Sequence, residues 1–179
     1  MLKLSPVIQK FILHWGEMGT RWGVNRTVAQ VHALLYVSPR PLNAEEIAQT
    51  LAVARSNVST SLRELESWGI VKPVHLLGDR REHYESMTDV WDMARVIFNE
   101  RKRREIDPTL AHLRAGVAEL QKTGPADSVT RQRLVAMLDF LETLSALYEE
   151  VHRMPTGTVR KILTVRGKVK NLLTRKPSG

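Results

Sequence analysis

Three observations predict a mainly α-helical fold with one small β-hairpin. Apolar residues recur at steps of three and four along most of the 179-residue chain. Two short helices, near residues 44–51 and 55–68, are separated by only three residues. The one stretch that reads as paired strands, residues 70–85, follows directly behind them. Helix, turn, helix and hairpin in that order make a winged helix-turn-helix, with the flanking helices left to form a dimerisation region.

Composition supports a packed globular protein: 42% of residues are hydrophobic and 26% charged. The absence of cysteine excludes disulfides, thiolate zinc sites, CxxC redox centres and a cysteine nucleophile. Lys3, Lys10, His14, Glu17 and Arg21 interrupt any signal-peptide order at the start, and no run reaches the eighteen or so apolar residues of a membrane span. A soluble cytoplasmic protein without a membrane partner is expected. The net charge of +8 lies entirely in the tail, where residues 151–179 hold eight Lys and Arg and no acid, while residues 1–150 are balanced. The global charge is therefore no argument that the main body binds nucleic acid; local placement has to carry that.

From Leu4 to Trp22, Val7, Phe11, Trp15, Met18 and Trp22 define one apolar helix face, with Gly16, Gly19 and Gly23 assigned to other faces. Three glycines in eight residues weaken a helix, which points to a close backbone approach or a helix end. Asn25 caps a second helix through Val28, Val31, Leu34 and Leu35, and Ser38-Pro39-Arg40-Pro41 stops it.

Asn43, followed three residues later by Glu46, is a capping box that starts a helix of about two turns with Ile47, Ala48 and Leu51 inward. After Ala52-Val53-Ala54, a second helix from Arg55 to Trp68 places Val58, Leu62 and Leu65 inward and ends at Gly69. Its outer face carries Ser56, Asn57, Ser59, Thr60 and Arg63, with Arg55 at its start. Short hydroxyl and amide side chains let a helix lie close to DNA, and Arg63 has the reach and the fork to read guanine. An ordinary helical hairpin with a solvated polar face is the alternative.

Residues 70–76 form a strand placed at an edge by Pro73, and residues 82–85 return antiparallel after a turn at Gly78-Asp79-Arg80-Arg81. Arginines at the tip of such a wing, Arg80 and Arg81, suit the negative potential of a narrow minor groove, or else are solvated loop charges. His75 and His83 are placed to oppose each other across the hairpin, although two histidines without a third ligand make a poor metal site.

Thr88 or Asp89 caps a long helix with Val90, Met93, Ala94 and Ile97 inward, ending in the basic run 101–104, a solvated helix end or a phosphate contact. Asp107 and Pro108 are expected to start a separate helix through Leu110, Leu113, Val117 and Leu120, closed by Gly124-Pro125. From Ser128 to His152 a heptad stripe runs through Leu134, Leu141 and Tyr148 and through Met137, Leu144 and Val151, widened by Leu138, Phe140 and Leu147. It is too broad for a lone surface helix and predicts packing on its own subunit and on a second copy. The basic tail 155–179 has three readings: a dimerisation helix with a solvated basic face, a DNA backbone contact, or a membrane-surface helix.

The sequence resembles the GbsR/MarR transcriptional regulators, a branch of the MarR-like winged helix proteins. The resemblance lies in GEMGTRWGVNRTVAQVHALLY (16–36), AEEIAQTL (44–51), RSNVSTSLRELESWGIV (55–71) and GDRREHYE (78–85). It implies a homodimeric regulator, with a repressor expected, that binds double-stranded DNA with its terminal helices at the dimer interface. The implied organisation is an N-terminal dimerisation helix (1–23), a winged helix-turn-helix DNA-binding domain (24–104) and a helical dimerisation region with the basic tail (105–179). Ser56, Asn57, Ser59, Thr60 and Arg63 would face the major groove. Asp79-x-Arg81 matches the Asp-x-Arg of MarR-like wings, in which the arginine enters the minor groove and the acid holds the loop. Ala52 and Ala54 depart from the Gly and capping Ser or Thr common in this turn. The GbsR branch is associated with choline and related quaternary ammonium compounds, which implies a small organic effector held by aromatic faces. Trp15, Trp22, Tyr36, Trp68 and Trp91, with Tyr84 nearby, are the rings available, unless they serve only as packing.

No GxGxxG, phosphate loop, GxSxG, SxxK or helical histidine pair is present, so no enzyme activity and no cofactor are expected. The competing class is a winged helix used purely as a protein-interaction module, which would have no need of Arg63 and an arginine-tipped wing.

Overall fold

The computed structural model describes residues 4–121, 128–162 and 164. The chain divides into two compact units, at Ile97 and Phe98.

In the first unit, α1 (Pro6–Arg21) starts at Ser5, whose hydroxyl accepts from the Ile8 amide, with Pro6 in the first turn. Its buried residues are Ile12, Gly16 and Gly19. The expected face is corrected: Phe11 and Trp15 are half-buried, but Val7 and Trp22 are 76% and 49% exposed. The glycines are the reason. A Cβ on Gly19 would lie 2.5 Å from the Ala29 Cβ, and one on Gly16 would lie 2.7 Å from the Gln30 Cγ, so the glycine side is where α1 meets α2 (Arg26–Val37). Gly23, at φ +77°, supplies the helix end. Helix α2, capped by Asn25 onto the Thr27 amide at 2.8 Å, is buried continuously from Val28 to Leu35 and is the axis of the core.

Strand β1 (Leu42–Asn43) leads directly into α3 (Ala44–Leu51), and α4 (Arg55–Trp68) follows the three-residue turn. Ala48 is buried beneath the helix pair, and Ala52 takes the left-handed conformation usually given to glycine, at φ +54°. Val58, Leu62 and Leu65 are buried with Val31, Leu34, Ile47 and Ile70. Strands β2 (Val71–Leu76) and β3 (Asp79–Ser86) complete an antiparallel sheet in the order β1-β3-β2. Pro73 lies on the edge strand β2, where its missing N–H costs no ladder bond.

Two local expectations are corrected here. The reversal occurs at Leu77-Gly78, with Gly78 at φ +84°, and Leu76 pairs with Asp79, so Asp79, Arg80 and Arg81 lie on β3 and not in the turn. A register irregularity between Val74 and Leu76 removes His75 from the ladder, and His83 pairs with Val74. The two histidines do not oppose each other.

Helix α5 (Val90–Arg101) begins at Asp89, whose carboxylate accepts from the Trp91 and Asp92 amides. The expected break before Pro108 is absent. A π-helical segment, Lys102–Ile106, runs on into α6 (Asp107–Leu120), and Asp107 is itself helical. A proline lacks its N–H and crowds the carbonyl four residues back, and one wide π turn relieves both without ending the helix. The Asp107 carboxylate, instead of capping, takes Lys102 Nζ at 2.8 Å, and Lys102 also meets Glu149 at 3.0 Å. The basic run is tied up locally, since Arg101 pairs with Glu105, and Arg103 and Arg104 with Glu100.

In the second unit, Leu110, Leu113 and Val117 of α6 are buried, and α7 (Ser128–Arg153) packs against that helix, with Arg114 joined to Glu142 at 2.8 Å. Leu134, Leu138, Leu141 and Tyr148 are half-buried, whereas Met137, Phe140, Leu144, Leu147 and Val151 are exposed. The two heptad registers thus separate into one covered row and one open row. Gly124-Pro125 and most of the basic tail lie outside the described residues.

The α1–α2 contact makes a sharp prediction. Gly19→Ala should lower stability by about 1–3 kcal/mol despite the better helix propensity of alanine, because the Cβ meets a buried neighbour that cannot move aside. Gly16→Ala should cost less, because the flexible Gln30 side chain can swing away. Paired thermal denaturation of the two variants checks the order.

Candidate nucleic-acid interface

The exposed face of α4 follows from what lies beneath it. Val58, Leu62 and Leu65 are at most 1% exposed, so the helix cannot roll, and the residues between them must point outward. Arg55, Ser56, Asn57, Thr60 and Arg63 are exposed and Ser59 is partly so. Arg63 Nη2 reaches the Thr60 hydroxyl at 3.4 Å, one turn back along the same face. Ser61, which the hydroxyl-rich stretch also contains, is buried and turns its hydroxyl onto the Asn57 carbonyl. Ala54 gives α4 no side-chain cap, which leaves amides of its first turn open to an acceptor from outside.

On the wing, Arg80 and Arg81 are exposed at the start of β3. Asp79 grips Arg81: its Oδ1 accepts from the Arg81 amide at 3.0 Å and from Nε at 2.9 Å, and its Oδ2 accepts from Nη2 at 2.5 Å. These bonds hold the Asp79 carboxyl well below the usual carboxylate range. Nη1 stays outside the pair, so the guanidinium is oriented while one edge still faces outward. A fork fixed in this way keeps its charge and gives up little further entropy on meeting a phosphate or groove edge.

Behind the clamp lies a contact the sequence reading missed. His83 is only 3% exposed; its Nδ1 donates to the Arg81 carbonyl at 3.0 Å, and its Nε2 lies 3.5 Å from both the Asn43 side-chain amide and Asp79 Oδ2. Asn43 in turn caps α3, accepting from the Glu46 amide at 3.0 Å while Glu46 accepts from the Asn43 amide at 3.1 Å. Glu46 is held below the usual carboxylate range, mainly by its bond to Arg40. The capping box was legible, but β1 is only two residues long and gives no alternating pattern to reveal that Asn43 also pairs with His83.

Of the proposed effector residues, the structure gathers Trp15 and Tyr36 into an apolar pocket of about 220 Å³ with Phe11, His32, Val90 and Met93. Trp22, Trp68 and Trp91 do not line it. Tyr84 is buried in the sheet, with its hydroxyl on Glu82 at 2.9 Å. His32 is the addition the sequence reading lacked. It lies between the rings of Trp15 and Tyr36, 6.4 Å from each, and its buried Nε2 meets no partner within the described residues. Burial pushes its imidazole down to about 4, so it is neutral near pH 7.

Residues 22–82 match the MarR family. The chain is similar to the HTH-type transcriptional repressor GbsR of Bacillus subtilis (strain 168), with 21% identity over 154 residues, 82% of this chain and 85% of that protein. Its fold resembles a crystal structure of a transcriptional regulator at a TM-score of 0.64 and 23% identity, covering 82% of this chain and 96% of that one. Among the described residues, no helix is long and apolar enough to cross a membrane.

The depressed imidazole makes stability depend on pH. An unfolded histidine binds its proton near 6.5 and folded His32 only near 4, so between those values the unfolded chain holds a proton the folded one lacks. Its contribution is complete above about pH 6.5 and is lost as the pH falls towards 4, by about 3 kcal/mol. The thermal midpoint of the parent should fall relative to that of His32→Leu as the pH drops through that window.

Proposed function

We propose that the chain, whose residues 22–82 match the MarR family, is a DNA-binding transcriptional regulator that works as a homodimeric repressor reading a two-fold operator. The observation that carries the reading is the juxtaposition, within one compact unit, of a polar outward face on α4 with the Asp79-held Arg81 of the wing. In this reading Arg55, Ser56, Asn57, Ser59 and Thr60 contact backbone and base edges, Arg63 reads a base in the major groove, and Arg80 and Arg81 follow the minor groove. A winged helix serving only protein contacts gives no reason for a carboxylate to orient Arg81 while leaving it exposed.

The open row on α7 supports the dimer. Met137, Phe140, Leu144, Leu147 and Val151 alternate at steps of three and four, the spacing of a helix seam, and each is at least 43% exposed in the single chain. A second copy of the same row would cover it, with the N-terminal helix contributing as the resemblance implies. The pocket of Phe11, Trp15, His32 and Tyr36 is the proposed effector site. Ring faces and a neutral imidazole make it suitable for a small choline-like cation, which would alter operator affinity through its different affinity for two arrangements of the protein. We assign the protein to the cytoplasm, where its operator would be.

The experiment is selection of DNA from a random pool, followed by affinity measurements. Arg63→Ala should cost about 1–3 kcal/mol and relax preference at one position in each half-site, whereas Arg81→Ala should weaken binding where the flanks are A/T-rich. Two variants that bind like the parent would remove the groove assignments. In sedimentation, the parent should be a dimer and Phe140→Glu/Leu147→Glu a monomer with much weaker operator binding. Choline titrated to millimolar levels should change both tryptophan fluorescence and operator affinity, and Trp15→Leu should abolish the response.

A further inference from the structure

We propose that His83 is a positioning residue for DNA binding, registering the wing arginine against the first helix of the helix-turn-helix. Three observations meet at this imidazole. It is buried, whereas Arg81, two residues before it on the same face of β3, is exposed. Because a carbonyl can only accept, Nδ1 must carry the proton donated to Arg81 O, which fixes the ring and leaves Nε2 facing inward. Nε2 then sits 3.5 Å from two groups of opposite character, the Asn43 amide nitrogen and Asp79 Oδ2.

Asn43 and Asp79 each have a second task. The Asn43 side-chain oxygen caps α3, and its backbone pairs with His83 across the sheet. Asp79 holds both the amide and the guanidinium of Arg81. The order Glu46, Asn43, His83, Arg81 is therefore a continuous hydrogen-bonded path from the α3 N-terminus to the wing arginine, whose guanidinium Asp79 holds at the far end. In a hairpin otherwise joined to the body by short strands, this path keeps the arginine at a set distance from the helix pair. Arg81 thus reaches DNA already aligned, and the ordering cost at that contact falls. Arg40 and Glu82 flank the path, the first bound to Glu46 and the second to Tyr84.

The inference rests on the reading of Arg81 as a DNA contact, so its test has one arm that needs no DNA. In the free parent protein, the Arg81 Nε–H should give a sharp, exchange-protected NMR signal. His83→Leu should broaden or lose it, and His83→Gln, whose amide reaches the Nε2 position, should retain it. Asn43→Ser keeps a capping oxygen for α3 but removes the amide nitrogen that reaches His83, and should weaken the same signal even if His83→Leu fails to fold. In the DNA arm, His83→Leu should weaken operator binding about tenfold, and within an Arg81→Ala background its effect should shrink to less than about twofold. An Arg81 signal unchanged in His83→Leu and Asn43→Ser, or an undiminished effect of His83→Leu beside Arg81→Ala, would overturn the positioning role. Failure of the parent to bind any selected duplex would instead overturn the DNA reading, leaving the Arg81 signal to decide the role of His83.

Discussion

The helix pair and the wing are held together by one buried side chain. Asn43 is 2% exposed, ends the two-residue strand β1 and is the N-cap of α3. An amide can accept with its oxygen and donate with its nitrogen at once, and both are used, the first towards the Glu46 amide and the second towards His83. A buried amide left unpaired would cost roughly 1–3 kcal/mol, so the helix and the hairpin constrain each other through it. Serine or aspartate would cap the helix as well, but neither carries the amide nitrogen that meets the imidazole.

The second constraint is the packing around α2. Because it is buried over eight consecutive residues, its neighbours must approach it from several sides, and each does so by a different device. Helix α1 uses glycines to bring backbone close, α4 inserts Val58, Leu62 and Leu65, and the sheet contributes Val71 and Tyr84. Once those contacts are made, the outward face of α4 has no alternative orientation. The polar surface proposed to meet DNA is thus a consequence of an apolar core, and Arg63 is aimed by the burial of Val58, Leu62 and Leu65 beneath it.

What was legible in the sequence was what local chemistry dictates. The Asn25 cap, the Asn43–Glu46 capping box, the glycine end of α4 and the 3.6-residue periodicity of α4, α6 and α7 are all signals carried within a few residues. The failures share a different cause. The packing side of α1 differs from the expected one because glycine contributes no hydrophobicity, although it marks where α1 comes close to α2. The Pro108 break was wrong because a π turn absorbs the proline, and nothing in the four basic residues before it announces that. The His83–Asn43 contact spans forty residues and depends on strand register, which a one-residue shift in the turn alters. Of the proposed effector rings, two came together, and the residue that gives their pocket its character, His32, sits in a helix where its neighbours read as plain core.

We propose that one compact unit presents α4 to the major groove and the Asp79-held Arg81 to the adjacent minor groove. Methylation interference on the selected operator tests it most directly, since methyl groups on guanine N7 and adenine N3 block the two grooves separately. Interference is expected at guanine N7 within each half-site and at adenine N3 in the flank beside it, repeated with two-fold symmetry, with Arg81→Ala abolishing only the adenine signal. Interference confined to one groove, or an adenine signal that survives Arg81→Ala, would contradict it.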